Sequence, residues 1–95
     1  MIESFRCKET ERVFRREYSR KLPTSIQRLA FRKLRMLNRS SKVDDLRVPP
    51  GNGQEALSGD RKGQHSIRIN DQWRICFVWR DGNAYDVEIV DCHKG

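Results

Sequence analysis

Apolar and polar residues alternate through two consecutive stretches, Gln64-His65-Ser66-Ile67-Arg68-Ile69-Asn70 and Trp73-Arg74-Ile75-Cys76-Phe77-Val78-Trp79. Ile67, Ile69, Trp73, Ile75, Phe77 and Trp79 all hold odd positions, so the pattern predicts two strands with one apolar and one polar face. Pairing Ile67 with Ile75 and Ile69 with Trp73 keeps the apolar face continuous and sets Arg68 opposite Arg74. His65 then falls on the apolar side opposite Phe77, where a satisfied core histidine is expected. Facing like charges weaken a ladder by up to about 1 kcal/mol, a cost that an anion lying between them removes. Two forked guanidiniums on a flat strand surface suit a phosphate.

A third strand follows. Asp81-Gly82 marks the hairpin, and parity constrains its length. A three-residue loop, Asp81 to Asn83, pairs Trp79 with Tyr85, Phe77 with Val87 and Ile75 with Ile89, whereas a two-residue loop would put Asp86 and Glu88 against the apolar face. The odd-length loop is therefore expected, with Arg74, Cys76, Glu88, Val90 and Cys92 on the face that carries Arg68. Upstream, Ile2 to Phe5 reads as a short strand and Lys8 to about Tyr18 as a charged helix anchored by Val13 and Phe14. Thr24 offers an N-cap with Gln27 three positions on, a capping-box spacing. Ile26, Leu29, Ala30, Lys33, Leu34 and Leu37 then follow a helical rhythm, with Arg28, Arg32, Arg35 and Arg39 on the outer face. Ser40 to Gly53 is a connection: Val43 and Leu46 can dock on the core, and Pro49-Pro50-Gly51-Asn52-Gly53 cannot continue a regular element. Glu55 to Ser58 is a candidate short strand. The fold class expected is α+β, with two N-terminal helices on one face of a small antiparallel sheet and the opposite face free.

Composition narrows the role. The 95 residues suffice for one small domain, and the net charge is +7. Through Val48 there are 14 Lys/Arg against 6 Asp/Glu, and from Pro49 onward 6 against 7, so the excess sits on the helical half. Such an excess favours RNA, DNA or an acidic protein as partner. No apolar run is long enough to span a membrane, and Met1 to Arg6 lacks a signal-peptide core, which points to the cytoplasm. Cys7, Cys76 and Cys92 are an odd set without CxxC spacing and read as reduced thiols; with two separated histidines they make no metal ligand set.

The polar sheet face holds Ser66, Arg68, Arg74 and Glu88, and Asp91, Cys92 and His93 end the last strand. Glu55, Arg61 and Lys62 lie on the segment entering the meander. These are the parts for phosphodiester cleavage: arginines neutralise the pentacovalent phosphate while His or a carboxylate moves protons. RNA supplies its own nucleophile, the 2′-hydroxyl, so neither a metal nor a protein nucleophile is required. The plainer reading is that Arg68 and Arg74 only bridge Glu88 and Asp71. Trp73 and Trp79 read as core.

The run Val48-Pro49-Pro50-Gly51-Asn52, then Glu55-Ala56-Leu57-Ser58-Gly59-Asp60-Arg61, Gly63 through Arg74, and the ending Val87-Glu88-Ile89-Val90-Asp91-Cys92-His93 closely resemble HigB toxins, the killer proteins of the RelE superfamily in bacterial type II toxin–antitoxin systems. The resemblance also takes in the Met1-Ile2-x-Ser4-Phe5 opening. It implies a single RelE-like domain over residues 1–95 and a metal- and cofactor-independent endoribonuclease that cuts mRNA, typically in the ribosomal decoding site. It further implies a HigA-like helix-turn-helix antitoxin, through which alone operator DNA would be bound. Arg74 matches the family's strand arginine, and Asp91 and His93 match the outer members of an Asp-Tyr-His motif whose tyrosine is Cys92 here. Glu55 and Ser58 replace a His and a Lys found in some relatives. The catalytic set expected is Arg74, His93, Asp91 and Glu55, with Arg68, Arg61 and Lys62 contacting RNA phosphate.

Two further readings stay open. The thinned acid–base set at Ser58 and Cys92 fits a catalytically weak module that binds ribosome or RNA and is neutralised by an antitoxin. The basic helices, separately, fit an acidic antitoxin surface at Arg28, Arg32 and Arg35.

Overall fold

The computed structural model describes residues 1–91, in the order α1 (Lys8–Phe14), α2 (Thr24–Arg39), β1 (Glu55–Ala56), β2 (Gln64–Arg68), β3 (Trp73–Arg80) and β4 (Asn83–Asp91). The strands form one antiparallel sheet in chain order, β1-β2-β3-β4. The register of the first hairpin is the one the alternation demands: Ile67 faces Ile75 and Arg68 faces Arg74. Residues 2–5 bridge β4 in parallel at Ile2–Ala84 and Phe5–Val87, covering the outer edge that would otherwise expose unpaired backbone groups.

The second hairpin departs from expectation. Its loop is the two-residue turn Asp81-Gly82, both at positive φ (53° and 79°), with Arg80 paired to Asn83 and Trp79 to Ala84 rather than Tyr85. Parity is restored by a bulge on β4 between the pairs Val78–Tyr85 and Cys76–Glu88, where Asp86 sits at φ 52°. One extra residue on one strand moves every later side chain to the other face, so Ile75 meets Ile89 after all. The bulge also carries a docking point for the chain start: Asp86 N–H donates to Ser4 Oγ (2.9 Å) and Val87 N–H to the Ser4 carbonyl (3.1 Å).

Two helix boundaries also differ. Helix α1 stops at Phe14, not near Tyr18. Arg16 takes the left-handed position (φ 63°), Glu17 N–H reaches the Arg12 carbonyl (2.8 Å) and Arg16 N–H the Val13 carbonyl (3.1 Å). This is the Schellman closure usually marked by glycine, made here by arginine. At α2 the N-cap is Pro23, and no capping box forms. Gln27 instead turns back on the preceding loop, bonding Ser19 N, Ser19 O and Leu22 O.

The core lies between the helices and the odd-numbered sheet face. Ile26, Ala30, Leu34 and Leu37 of α2 pack with Ile67, Ile75, Phe77 and Val87, and Leu46 docks from the connecting segment. Leu29 is on the margin at 37% exposure. His65 stacks on Phe77 with ring centroids 6.0 Å apart and its Nδ1 is bonded to Gln54, the structural role expected of it. No helix among the described residues is long and apolar enough to cross a membrane.

Candidate active site

Antiparallel pairing converts the sequence into rows across the polar face. Glu55 faces Ser66, Ser66 faces Cys76, and Cys76 faces Glu88, so two carboxylates flank a buried Ser–Cys pair. The adjacent row holds Arg68, Arg74 and Val90. The face is not bare as expected: the turn ending at Gly53 comes up against its edge, its carbonyl accepting from the Arg74 guanidinium, and a Cβ at Gly53 would lie 3.8 Å from Arg68 Cβ. Gly53 is at φ 50°, the left-handed conformation that glycine takes without cost.

Arg74 is the best-fixed cation of the face, its side chain 18% exposed. Its Nε donates to Ser66 Oγ (2.8 Å), its Nη2 donates to the Gly53 carbonyl, and Glu55 Oε1 lies 3.7 Å from the same Nη2. Three acceptors on two strands and a loop thus orient one planar fork, which a lysine cannot match. Among the described residues Nη1 has no hydrogen-bond partner, and the side chain keeps part of its surface exposed.

Arg68 points elsewhere, pairing with Asp71 in the turn after β2. The facing arginines are therefore each neutralised separately: Arg68 follows the plainer ion-pair reading at Asp71, whereas Arg74 does not reach Glu88. Glu88, 16% exposed, takes Arg61 Nη1 at 2.9 Å and Arg6 Nη1 at 4.0 Å. Arg61 also donates to Gln64 Oε1 (3.0 Å), holding the 3-10 turn Gly59–Arg61 against the sheet, and Lys62 follows it, exposed. So Arg74 and Glu55 are brought together, Arg61 borders the same face through Glu88 and Gln64, and no contact ties Lys62 to it among the described residues. Asp91 is paired with Trp73 at the end of β4, on the alternation opposite to Arg74, and its Oδ2 accepts from Gln72 Nε2 (3.1 Å). His93 and Cys92 lie outside the described residues.

The support beneath Arg74 was not anticipated. Asn52, fully buried, accepts from Lys33 Nζ and donates to the Leu46 carbonyl (3.1 Å), with Met36 Sδ 3.0 Å from its Nδ2. Lys33 stands in the core-facing stripe of α2, and burial holds its amine below the usual lysine pKa. Lys33 thus clamps Asn52, and Asn52 holds the turn whose next residue, Gly53, orients Arg74. A lysine in an apolar stripe was the available signal; its partner, 19 residues away, had none.

The helices on one side and the buttressed arginine face on the other define a class of small α+β protein built around a basic, open sheet surface. The family model for the RelE-like toxin of the type II toxin–antitoxin system HigB matches residues 3–93, and the chain belongs to that family. It is 47% identical over 75 residues to Toxin HigB-1 of Vibrio cholerae, covering 79% of this chain and 78% of that one. It is 30% identical over 98 aligned positions to Endoribonuclease HigB of Proteus vulgaris, covering 98% and 100%. In fold it superposes on a crystal structure of a YafQ mutant from E. coli with a TM-score of 0.63 at 10% identity, over 96% of this chain and 93% of that one. The expected RelE-like α+β architecture is thereby established, and family membership brings with it an antitoxin partner.

Proposed function

We propose that this toxin is a metal-independent endoribonuclease that cuts mRNA on the ribosome in the cytoplasm and is held inactive by a HigA-like helix-turn-helix antitoxin, which alone contacts operator DNA. The observation that carries the reading is the orientation of Arg74 on Ser66, Gly53 and Glu55, a cation fixed by the protein before any phosphate arrives. Pre-organised charge of this kind stabilises a transition state without reorganisation. The relative named Endoribonuclease HigB supports the same chemistry.

The 2′-hydroxyl oxygen attacks the adjacent phosphorus, and the bond from phosphorus to the 5′-oxygen breaks. The products are a 2′,3′-cyclic phosphate and a free 5′-hydroxyl. Arg74 stabilises the phosphorane, and Arg68, Arg61 and Lys62 hold the flanking phosphates. Glu55, beside the Arg74 fork, takes the 2′-proton. His93 gives a proton to the departing 5′-oxygen, an assignment that rests on the family's terminal motif, while Asp91, on the alternation opposite to Arg74, takes no direct part.

The test is primer extension on a defined mRNA in a purified translation system, with and without ribosomes. Arg74→Ala should lower cleavage by about 30- to 900-fold, corresponding to roughly 2–4 kcal/mol of lost transition-state stabilisation. Undiminished cleavage in that variant would remove Arg74 from the mechanism. His93→Ala should abolish cutting, and cuts that survive it would shift the second proton to another group. The replacements at Ser58 and Cys92 favour a second reading, a module that binds ribosomes without cutting. Intact mRNA in ribosomes stalled by the wild-type protein would establish it.

A further inference from the structure

On the side away from the arginine face, a cleft of about 540 Å³ opens between the end of α1 and the middle of α2. Val13, Phe31 and the 62%-exposed Tyr18 contribute apolar surface to it, Arg16, Arg28 and Arg32 line it, and its one carboxylate, Glu17, lies 3.5 Å from Arg12. A second hollow of about 450 Å³ lies beside it on the same turns of α2, shares Arg28 and Arg32, and is otherwise lined by Ser25 and Leu29. The two hollows therefore form one groove with an apolar seat on each side of a pair of arginines.

Three features say what fits it. Helix α2 carries Arg28, Arg32, Arg35 and Arg39 on its outer face and no acidic residue across its 16 positions, so that face is strongly cationic. Apolar side chains flank the arginines on both sides, Val13, Tyr18 and Phe31 on one and Leu29 on the other, and a nucleic-acid backbone would leave them unmatched. Of the two aromatic rings lining the cleft, Phe31 is already engaged, with the Arg16 and Arg35 guanidinium carbons 4.8 and 5.8 Å from its centroid, while Tyr18, 62% exposed, is open to an apolar side chain. Apolar anchors separated by carboxylates match both seats and the arginines between them.

We infer that this α1–α2 groove is a docking surface for an acidic amphipathic segment of the antitoxin, with Arg28 and Arg32 gripping its carboxylates. The inference takes the antitoxin from the family assignment, and it uses the proposed ribonuclease reading only for one control.

The experiment measures binding of the purified cognate antitoxin by calorimetry to wild type, Arg28→Glu/Arg32→Glu and Arg61→Glu, the last a charge reversal on the sheet face. The groove variant should bind at least about tenfold more weakly, equivalent to about 1.4 kcal/mol, while Arg61→Glu stays within about threefold of wild type. An unchanged groove variant, or equal losses in both, would overturn the assignment. Arg28→Gln/Arg32→Gln, with its thermal melt, keeps the test valid should the charge reversal disturb folding. A single-stranded RNA 20-mer serves as the competing ligand: if the groove variant loses RNA affinity and keeps antitoxin affinity, the surface belongs to RNA and the inference fails. Cleavage should persist in the groove variant. If wild type itself does not cleave, the ribonuclease reading fails while the antitoxin affinities still decide the groove.

Discussion

Truncating Asn52 to alanine probes the link between the helical layer and the arginine face. The side chain is fully buried, accepts from Lys33 Nζ and donates to the Leu46 carbonyl, with Met36 Sδ and the Val48 carbonyl as weaker acceptors near the same Nδ2. Alanine satisfies none of these. A buried polar group left unpaired costs about 1–3 kcal/mol. The Lys33 amine is only partly buried and recovers some hydration, which places its share at the low end, and the Leu46 carbonyl takes a middle value. The expected loss is about 3 kcal/mol, or roughly 12–24 °C in melting temperature for a domain this small. Urea unfolding should show a lower midpoint at unchanged slope. Lys33→Met removes the orphaned amine, so the double variant Lys33→Met/Asn52→Ala should be less destabilised than the sum of the singles by about 1 kcal/mol. Because Gly53 follows Asn52 directly and its carbonyl orients Arg74, the alanine variant should also lose up to about 100-fold in kcat under conditions where it remains folded. A loss below about 0.5 kcal/mol, or strict additivity with Lys33→Met, would refute the clamp.

Two more perturbations test local features. Asp45 accepts from the Ser41 and Lys42 backbone N–H groups, which hold its carboxyl below the usual value of 3.8. A lowered folded pKa contributes stability above the unfolded value and loses it as pH falls through the folded one. Asp45→Asn should therefore be less stable than wild type at neutral pH, with the gap narrowing as the pH falls below 3.8 and closing below the lower folded pKa, and a gap in urea midpoint that stays constant down to about pH 2 would contradict this. At the β4 bulge, Asp86→Val should cost about 1–2 kcal/mol because a branched side chain resists φ 52°, whereas Asp86→Gly should not. Equal melting temperatures for the two variants would show that the bulge imposes no such demand.

What could be read along the chain was what depends on near neighbours. Period-two alternation over residues 64–79, closed by a short turn, leaves one register that keeps the apolar face whole, and it placed Arg68 against Arg74. The stripe at Ile26, Ala30, Leu34 and Leu37 likewise followed from helical spacing. Two local errors share one cause, the absence of glycine where glycine is the usual marker. Arg16 and Asp86 take left-handed conformations that their side chains do not advertise, so the end of α1 and the bulge in β4 were both hidden. The rule that parity must be preserved was sound, but the chain met it with a bulge instead of a longer loop.

By itself, the sequence determined the α+β class, the two-faced sheet, the basic bias of the helical half and the motifs that resemble the family. Each of these rests on periodicity, composition or residue identity. Only the tertiary structure decided which arginine is held in place. Arg68 and Arg74 are equivalent in the strand pattern, yet Arg68 turns to a surface aspartate while Arg74 is fixed by Ser66, a loop carbonyl and Glu55. That loop is anchored in turn by Lys33 on a helix 19 residues earlier. Contacts made across such separations depend on where folding brings the backbone, and no local pattern encodes them.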